Sequence, residues 1–492
     1  MVKQKQNISP KGSSNRMGLG VMGLAAIVIS SMIGGGIYSL PQNMAQAASV
    51  GAVLVAWLIT GIGIYFIANT FRILASAKPD LTAGIYMYAR NGFGNYAGFS
   101  IGWAYWLSQI FGNVGYAVIT MDALNYFFPP HFAGGNNLLS IICGSALIWG
   151  FNFIVLRGVK QASVMNVIGT AAKLVPLALF IIICIFAFNA HNFNYDFWGN
   201  LGANAKSLGG FETQLKSTML VTLWAFIGIE GAVVLSSRAK SQQAVSKATF
   251  LGFCGCLVIY VLLSLLPFGF MSQAEIAKIA NPSTAGILEH LVGPWGSYLM
   301  NIGLLIAVLF SWLAWTMIAA QIPQSAAIDG TFPKIFAREN DKGTPSVSLW
   351  VTSGIMQLAM FLVYFSNNAW NTMLSITGVM VLPAYIFSTL YLWKLTEDGE
   401  YQRITQHGRF FALISGILGT AFGLWLIYAA GLQYLFMAFV FLALGIPVFM
   451  VARRQNAPTE PCFSKSEKIV MILILLIAFA AIYAFAGGLL TL

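Results

Sequence analysis

Ile29–Ser–Ser–Met–Ile–Gly–Gly–Gly–Ile–Tyr–Ser–Leu–Pro41 lies within the first long apolar segment of the chain. Glycine in a helix interior costs about 1 kcal/mol relative to alanine, so three consecutive glycines predict that this helix is broken at Gly34–Gly36. A second apolar segment has a counterpart, Trp224–Ala–Phe–Ile–Gly–Ile–Glu–Gly231. Glycine-interrupted spans at corresponding positions of two halves point to a transporter binding site. The pair therefore predicts one site that is built by two broken helices.

The composition places the chain in a membrane. Of its 492 residues, 58% are hydrophobic and 8% are charged, and the mean hydropathy is +0.76. Soluble domains carry about 25% charged residues. The apolar runs are long and continuous, unlike the alternating segments of about ten residues that form β-barrels. We therefore expect an all-α integral membrane protein.

A membrane-spanning helix needs about 20 apolar residues, because the hydrocarbon core is about 30 Å thick. The chain contains thirteen such segments. They are residues 18–42, 51–74, 94–124, 138–156, 163–189, 217–236, 248–272, 293–321, 346–365, 371–394, 409–430, 433–452 and 467–490.

The net charge of +11 is explained by topology. With the N-terminal tail, residues 1–17, in the cytoplasm, 22 of the 26 lysines and arginines fall at cytoplasmic ends. Three fall outside, Lys206, Lys216 and Lys278, and Lys173 lies within a span. This distribution follows the positive-inside rule and gives no indication of a nucleic-acid partner. The odd number of spans places the C-terminus outside.

The glycines of the first span have two interpretations. Small residues let membrane helices pack closely. Alternatively, an unwound segment frees backbone N–H and C=O groups, which are tolerated at membrane depth only where they line a cavity. N–H groups at the start of a half-helix bind a carboxylate, and carbonyls receive an ammonium group. The second interpretation predicts an amino-acid substrate.

Three further side chains support a site for a cation. An ionisable residue within a span, such as Glu230, is functional by default, although a structural hydrogen-bond pair is the alternative. Trp224 and Trp315 are either core residues or stack on a cationic group, an attraction of about 0.5–2 kcal/mol.

The third span also carries more polar groups than lipid tolerates: Tyr105, Ser108, Gln109, Asn113 and Tyr116.

The sequence gives little indication of an enzyme. The five cysteines show no metal-ligand spacing, and we see no pairing of a nucleophile with a base. We expect no metal and no cofactor. A channel would need a ring of charges or a repeated filter, and neither is visible.

Three motifs resemble the amino acid–polyamine–organocation superfamily, and within it the arginine–ornithine and arginine–agmatine antiporters. They are Ser31–Met–Ile–Gly–Gly–Gly–Ile–Tyr–Ser–Leu–Pro–Gln–Asn43, Leu223–Trp–Ala–Phe–Ile–Gly–Ile–Glu230 and Ala327–Ile–Asp–Gly–Thr–Phe–Pro333. The resemblance implies a LeuT-type fold of 12–13 helices with a core at residues 18–396. In it, five-plus-five inverted repeats cover about 18–189 and 217–396, and peripheral helices cover 397–492.

The same resemblance assigns roles to particular residues. The bend Ser31, Met32, Ile33, Gly34, Gly35 and Gly36 would meet the substrate carboxylate, Trp224 would stack on the substrate, and Ile227 would offer its carbonyl. Glu230 would act in gating. The remaining pocket positions are Tyr105, Ser108, Gln109, Asn113 and Trp315. Gly35 replaces a serine of the arginine–agmatine branch, and Ser108 and Gln109 replace small residues.

Lys173 matches the lysine that proton-coupled members hold at a former sodium site. It is either a structural lysine that bonds carbonyls of the broken first span, or a built-in cation or proton switch.

We therefore expect a bacterial inner-membrane antiporter that exchanges external arginine for internal ornithine or agmatine, with a homodimer left open. The alternatives are proton-coupled uptake of a basic or other amino acid, and exchange of another amino acid with its amine, as in histidine/histamine or lysine/cadaverine.

Overall fold

The computed structural model describes residues 21–81, 85–158, 162–201, 204–230, 242–366, 368–405 and 408–490. Every regular element within these ranges is a helix. In chain order the α-helices are α1 (Val21–Met32), α2 (Leu40–Ala47), α3 (Val50–Ala77), α4 (Tyr86–Phe93), α5 (Asn95–Asn125), α6 (Leu138–Leu156), α7 (Ala162–Ala187), α8 (Ala190–Tyr195), α9 (Asn204–Ser207), α10 (Phe211–Ala225), α11 (Gln242–Leu265), α12 (Gln273–Lys278), α13 (Ser283–Val292), α14 (Pro294–Ile328), α15 (Ser346–Val363), α16 (Ala369–Glu397), α17 (Glu400–Ile404), α18 (Arg409–Ala430), α19 (Leu432–Asn456) and α20 (Lys465–Ala486).

The predicted all-α membrane fold is confirmed. Nine helices of the described ranges are long and apolar enough to cross a membrane, including α20, whose mean hydropathy reaches 3.0. The other four predicted spans coincide with α1, α5, α7 and α10. Of these, α1 and α10 each stop at a break, and α5 carries the polar side chains noted in the sequence. The N-terminal tail and residues 231–236 of the sixth predicted span lie outside the described residues.

The first break falls at the glycines. Helix α1 ends at Met32, Gly34 is extended with φ −91° and ψ −178°, and a 3-10 helix over Gly35–Ser39 leads into α2. The break has a packing reason. A Cβ on Gly35 would lie 1.9 Å from Val308 Cγ2 of α14. The backbone therefore approaches α14 more closely than any residue with a side chain allows.

The second break follows α10 and depends on Gly228. Beyond Ala225 the chain continues through turn hydrogen bonds, among them Ile227 N–H to the Trp224 carbonyl (3.1 Å). Gly228 has φ +105°, a conformation that glycine adopts without the steric penalty of a Cβ. Within this turn, the Gly228 N–H donates to Glu230 Oε2 (3.1 Å).

Helices α5 and α16 form the middle of the bundle. In the most apolar part of α16, 78% of the residues are buried, compared with 22% in α20. Helix α5 packs against α14 and α16, and α20 packs against α19. The polar face of α5 is therefore directed at protein, and the two breaks lie next to it.

Candidate functional site

A small cavity of about 40 Å³ lies where the two breaks meet α5, α14 and α16. Seven residues that the sequence nominated line it: Met32, Gly34, Gln109, Asn113, Trp224, Ile227 and Trp315. Three further lining residues were not nominated: Gly112, Tyr116 and Thr377. Because both breaks contribute to one cavity, segments that are about 190 residues apart in sequence build a single site.

Glu230 lies beside this cavity, and both of its carboxylate oxygens accept hydrogen bonds. The Tyr105 hydroxyl donates to its Oε1 (2.7 Å), and the Tyr385 hydroxyl donates to its Oε2 (2.8 Å). The Gly228 N–H donates to Oε2 as well (3.1 Å). Only 4% of Glu230 is exposed. The three donors thus join α5, α16 and the second break through one buried side chain.

The aromatic wall of the cavity consists of indoles. Trp224 and Trp315 line it and are partly buried. Trp224 also packs edge-to-face on Trp370 of α16, with ring centroids 5.5 Å apart and an angle of 87°. Indole faces attract organic cations, so this wall can hold a guanidinium or ammonium group without a second carboxylate.

Polar atoms face the same space from α5 and α16. Gln109 Nε2 and Thr377 Oγ1 are buried and have no hydrogen-bond partner among the described residues. Asn113 Nδ2 donates to the Gln109 carbonyl (2.7 Å), and Thr316 Oγ1 donates to Asn113 Oδ1 (3.4 Å). Buried polar atoms in native proteins are nearly always paired. The orphaned amide and hydroxyl groups are therefore suited to polar atoms of a substrate.

The other nominated residues are not among the described residues that line the cavity. Ser108 Oγ donates to the Thr377 carbonyl (3.0 Å) and fixes α5 against α16. Ile33 is fully buried, and Gly35 is packed against α14. Gly36 faces Trp224. Ser31 belongs to α1, and its side chain is outside the described part of the structure.

Lys173 lies in α7, not in the cavity lining, and is 5% exposed. Its backbone is joined to the first break, since the Tyr38 hydroxyl donates to the Lys173 carbonyl (3.0 Å). Tyr38 in turn accepts at its carbonyl a hydrogen bond from Thr284 Oγ1 (3.0 Å). Tyr38, two residues after Gly36, is thereby fixed to α7 and α13.

Sequence reasoning missed Gly112, Tyr116, Thr377, Trp370 and Tyr385. Tyr116 was noted among the polar residues of α5 but was not assigned to the site. Thr377 lies in the stretch Ser375–Ile–Thr377, where the family resemblance is too loose to assign a residue. Tyr385 and Trp370 look like ordinary core aromatics in sequence, because only their contacts with Glu230 and Trp224 distinguish them. Among the described residues, no group of three His, Cys, Asp or Glu side chains is placed to hold a metal ion.

Comparison with known proteins identifies the family. The amino acid permease family model matches residues 19–460. A Chlamydia felis protein named arginine/agmatine antiporter is 61% identical over 476 residues, which cover 96% of this chain and 98% of the relative. Proteins of the same name from Chlamydia pneumoniae (60% over 479 residues; 97% and 98%) and Chlamydia trachomatis serovar L2 (59% over 470 residues; 96% and 97%) are similar as well. The family resemblance of the motifs is thus confirmed: this chain belongs to the amino acid permease family and is a multi-pass membrane protein.

Proposed function

We propose that this protein is an antiporter that exchanges external arginine for internal agmatine by alternating access. The observation that carries the proposal is the single cavity between the two helix breaks, walled by Trp224 and Trp315 and flanked by the buried Glu230. Relatives about 60% identical over nearly the whole chain bear the name arginine/agmatine antiporter. Their name favours agmatine over ornithine as the internal partner.

The site chemistry is consistent with these substrates. The 3-10 helix begins at Gly35, and the first N–H groups of a helix have no partner within it. They are available to the arginine carboxylate. Arginine and agmatine share a guanidinium group, which the indoles of Trp224 and Trp315 would receive through cation–π attraction.

Glu230 is proposed as the gating residue. Its carboxylate is shared by Tyr105 of α5, Tyr385 of α16 and the turn at Gly228. Movement of the second break away from α5 or α16 would have to separate at least one of these pairs. The cluster therefore transmits a movement of the second break to α5 and α16, and without it reorientation should be slower.

Proteoliposomes test the exchange directly. Labelled arginine uptake would be compared in vesicles preloaded with buffer, arginine, ornithine, agmatine or histamine. We expect strong stimulation by internal agmatine and little uptake into empty vesicles. Stimulation by histamine alone would assign a different amino acid and amine pair.

Proton-coupled uptake is the second candidate, and the position of Lys173 favours it. This residue is buried in α7, at a point that Tyr38 bonds to the first break. Such a coupling predicts arginine uptake into empty vesicles when the outside is made acidic. Uptake that requires internal agmatine at every pH gradient would exclude it.

We also propose that the protein lies in the inner membrane with a defined topology. We place the N-terminus in the cytoplasm of a bacterial cell, the repeats at about 18–189 and 217–396, and the remaining helices at the periphery. A homodimer is compatible with this arrangement. In a cysteine-free background, an impermeant maleimide should label Lys278→Cys from outside intact cells and Lys342→Cys only after lysis.

A further inference from the structure

A second cavity, of about 310 Å³, lies between α3 and α11 and shares no lining residue with the substrate cavity. The two helices pack antiparallel. Trp57 Nε1 donates to Ser264 Oγ (2.7 Å), and one turn further Gly61 faces Leu257. Beyond this contact the cavity begins at Tyr65. Its volume is within the range of about 300–1,000 Å³ that is typical of ligand pockets.

One end of this cavity is basic. Arg72 of α3 and Lys247 of α11 line it, and none of the described lining residues is acidic. Arg72 donates through Nε (2.9 Å) and Nη2 (2.6 Å) to Asn69 Oδ1. Asn69 is itself held by Ser415 Oγ of α18 (2.7 Å). The guanidinium plane is thus oriented by a neutral amide that a second helix fixes.

The sequence that precedes Lys247 is also basic. Between Glu230 and Lys247 the chain contains Arg238 and Lys240 and no Asp or Glu. Under the proposed topology, this segment and the C-terminal end of α3 lie on the cytoplasmic side. The anionic lipids of a cytoplasmic leaflet attract such basic groups, by about 1 kcal/mol for each Lys or Arg.

Three aromatic side chains, Tyr65, Phe250 and Phe253, also line the cavity. The Tyr65 ring lies 6.3 Å from that of Phe250 and 6.4 Å from that of Phe253. Phe250 is 53% exposed, and on the same two helices Ile62 and Val258 are exposed as well. Exposed apolar side chains on membrane-spanning helices face acyl chains. The cavity therefore combines an apolar opening to lipid with a cationic end.

We propose that this cavity binds the headgroup phosphate of an anionic phospholipid, with the acyl chains along Phe250 and the exposed face of α11. Arg72, which Asn69 Oδ1 holds through Nε and Nη2, supplies an oriented positive charge for the phosphate, and the exposed Lys247 adds a second one. A soluble phosphate would use the same cations but not the aromatic opening. The inference does not depend on which substrate the protein exchanges.

Native mass spectrometry of the purified full-length protein tests the site. Titration with phosphatidylglycerol should give tighter binding than titration with phosphatidylcholine. Lys247→Gln should weaken phosphatidylglycerol binding about fivefold, and Arg72→Gln with Lys247→Gln should weaken it further. The matched control is Arg403→Gln, which removes an exposed cation at the same end of the bundle and outside the cavity, and it should leave the binding within about twofold of wild type.

Several outcomes would overturn the proposal. Equal affinity for the two lipids would exclude headgroup selectivity, and equal losses in the Lys247 and Arg403 variants would reduce the effect to general surface charge. Millimolar inorganic phosphate could instead displace phosphatidylglycerol and bind the wild type but not the Arg72→Gln, Lys247→Gln double variant. That result would make this a soluble-phosphate site. If Arg72→Gln lowers the melting temperature, the exposed Lys247 variant decides the question alone.

Discussion

Gly36 of the first broken helix faces Trp224 of the second, and there is no room between them for a methyl group. A Cβ on Gly36 would lie 1.9 Å from Trp224 Cη2 and 2.6 Å from Trp370 Cη2. The two breaks therefore fit into one another and do not merely line opposite sides of a cavity. A change at either break displaces the other.

The first prediction concerns this contact. Gly36→Ala should lower arginine exchange about 5- to 150-fold, because overpacking costs about 1–3 kcal/mol and the Trp224 indole must shift to relieve it. Uptake into agmatine-loaded vesicles measures the effect. Gly150→Ala is the matched control, since a Cβ at Gly150 meets nothing within 4 Å. Wild-type exchange by Gly36→Ala would show that the breaks tolerate separation.

The second prediction tests the aromatic wall. Trp224→Leu should weaken arginine binding roughly 2- to 30-fold, the equivalent of a cation–π attraction of about 0.5–2 kcal/mol. Equilibrium binding to the purified protein gives the change. Trp295→Leu is the control. It alters an indole that is 54% exposed, and this variant should bind arginine as the wild type does. Unchanged affinity in Trp224→Leu would return Trp224 to a packing role.

The third prediction separates gating from binding. Glu230→Gln leaves one acceptor oxygen for three donors, so at least one buried donor loses its partner at a cost of about 1–3 kcal/mol. We expect turnover to fall about tenfold while the dissociation constant for arginine changes less than threefold. The two quantities come from exchange rates at saturation and from equilibrium binding.

Tyr385→Phe is the companion to this substitution. It removes one donor and leaves the Glu230 carboxylate with Tyr105 and the Gly228 N–H. Its turnover should fall between those of the wild type and Glu230→Gln. Equal loss of affinity and turnover in both variants would instead indicate that the carboxylate contacts substrate in the bound state.

The fourth prediction follows from substrate charge. Arginine carries one net positive charge and agmatine carries two, so their exchange moves one positive charge outward, whereas arginine–ornithine exchange is neutral. An inside-negative potential, set with potassium and valinomycin, should slow arginine entry into agmatine-loaded vesicles and leave ornithine-loaded vesicles unaffected. Indifference to potential with internal agmatine would mean that another ion moves as well.

Much of the fold could be predicted from sequence because its signals are local. Each apolar run marks a helix, and Gly34–Gly36 and Gly228 mark the breaks, since the backbone at these points needs close approach or a positive φ. The boundaries differ by a few residues. For example, α14 extends to Ile328 although its predicted span ends at residue 321, because its last turns pack on protein and tolerate polar residues.

The site could be predicted only in part because its contacts are long-range. Gln109 and Asn113 were visible as polar residues in an apolar span. Thr377 and Tyr385 were not visible as site residues, since their significance depends on neighbours more than a hundred residues away. Tyr105 and Ser108 were nominated for the pocket. In the structure Tyr105 contacts Glu230, and Ser108 contacts the Thr377 carbonyl. Helix periodicity alone cannot distinguish these positions from those that line the cavity.

Exchange is tested most directly by measuring both substrates in the same vesicles. Proteoliposomes loaded with one isotope of agmatine would be placed in arginine that carries another isotope, and entry and exit would be counted together. Strict exchange predicts that one agmatine leaves for each arginine that enters, and that neither moves when the other is omitted. Arginine entry without agmatine exit would contradict it.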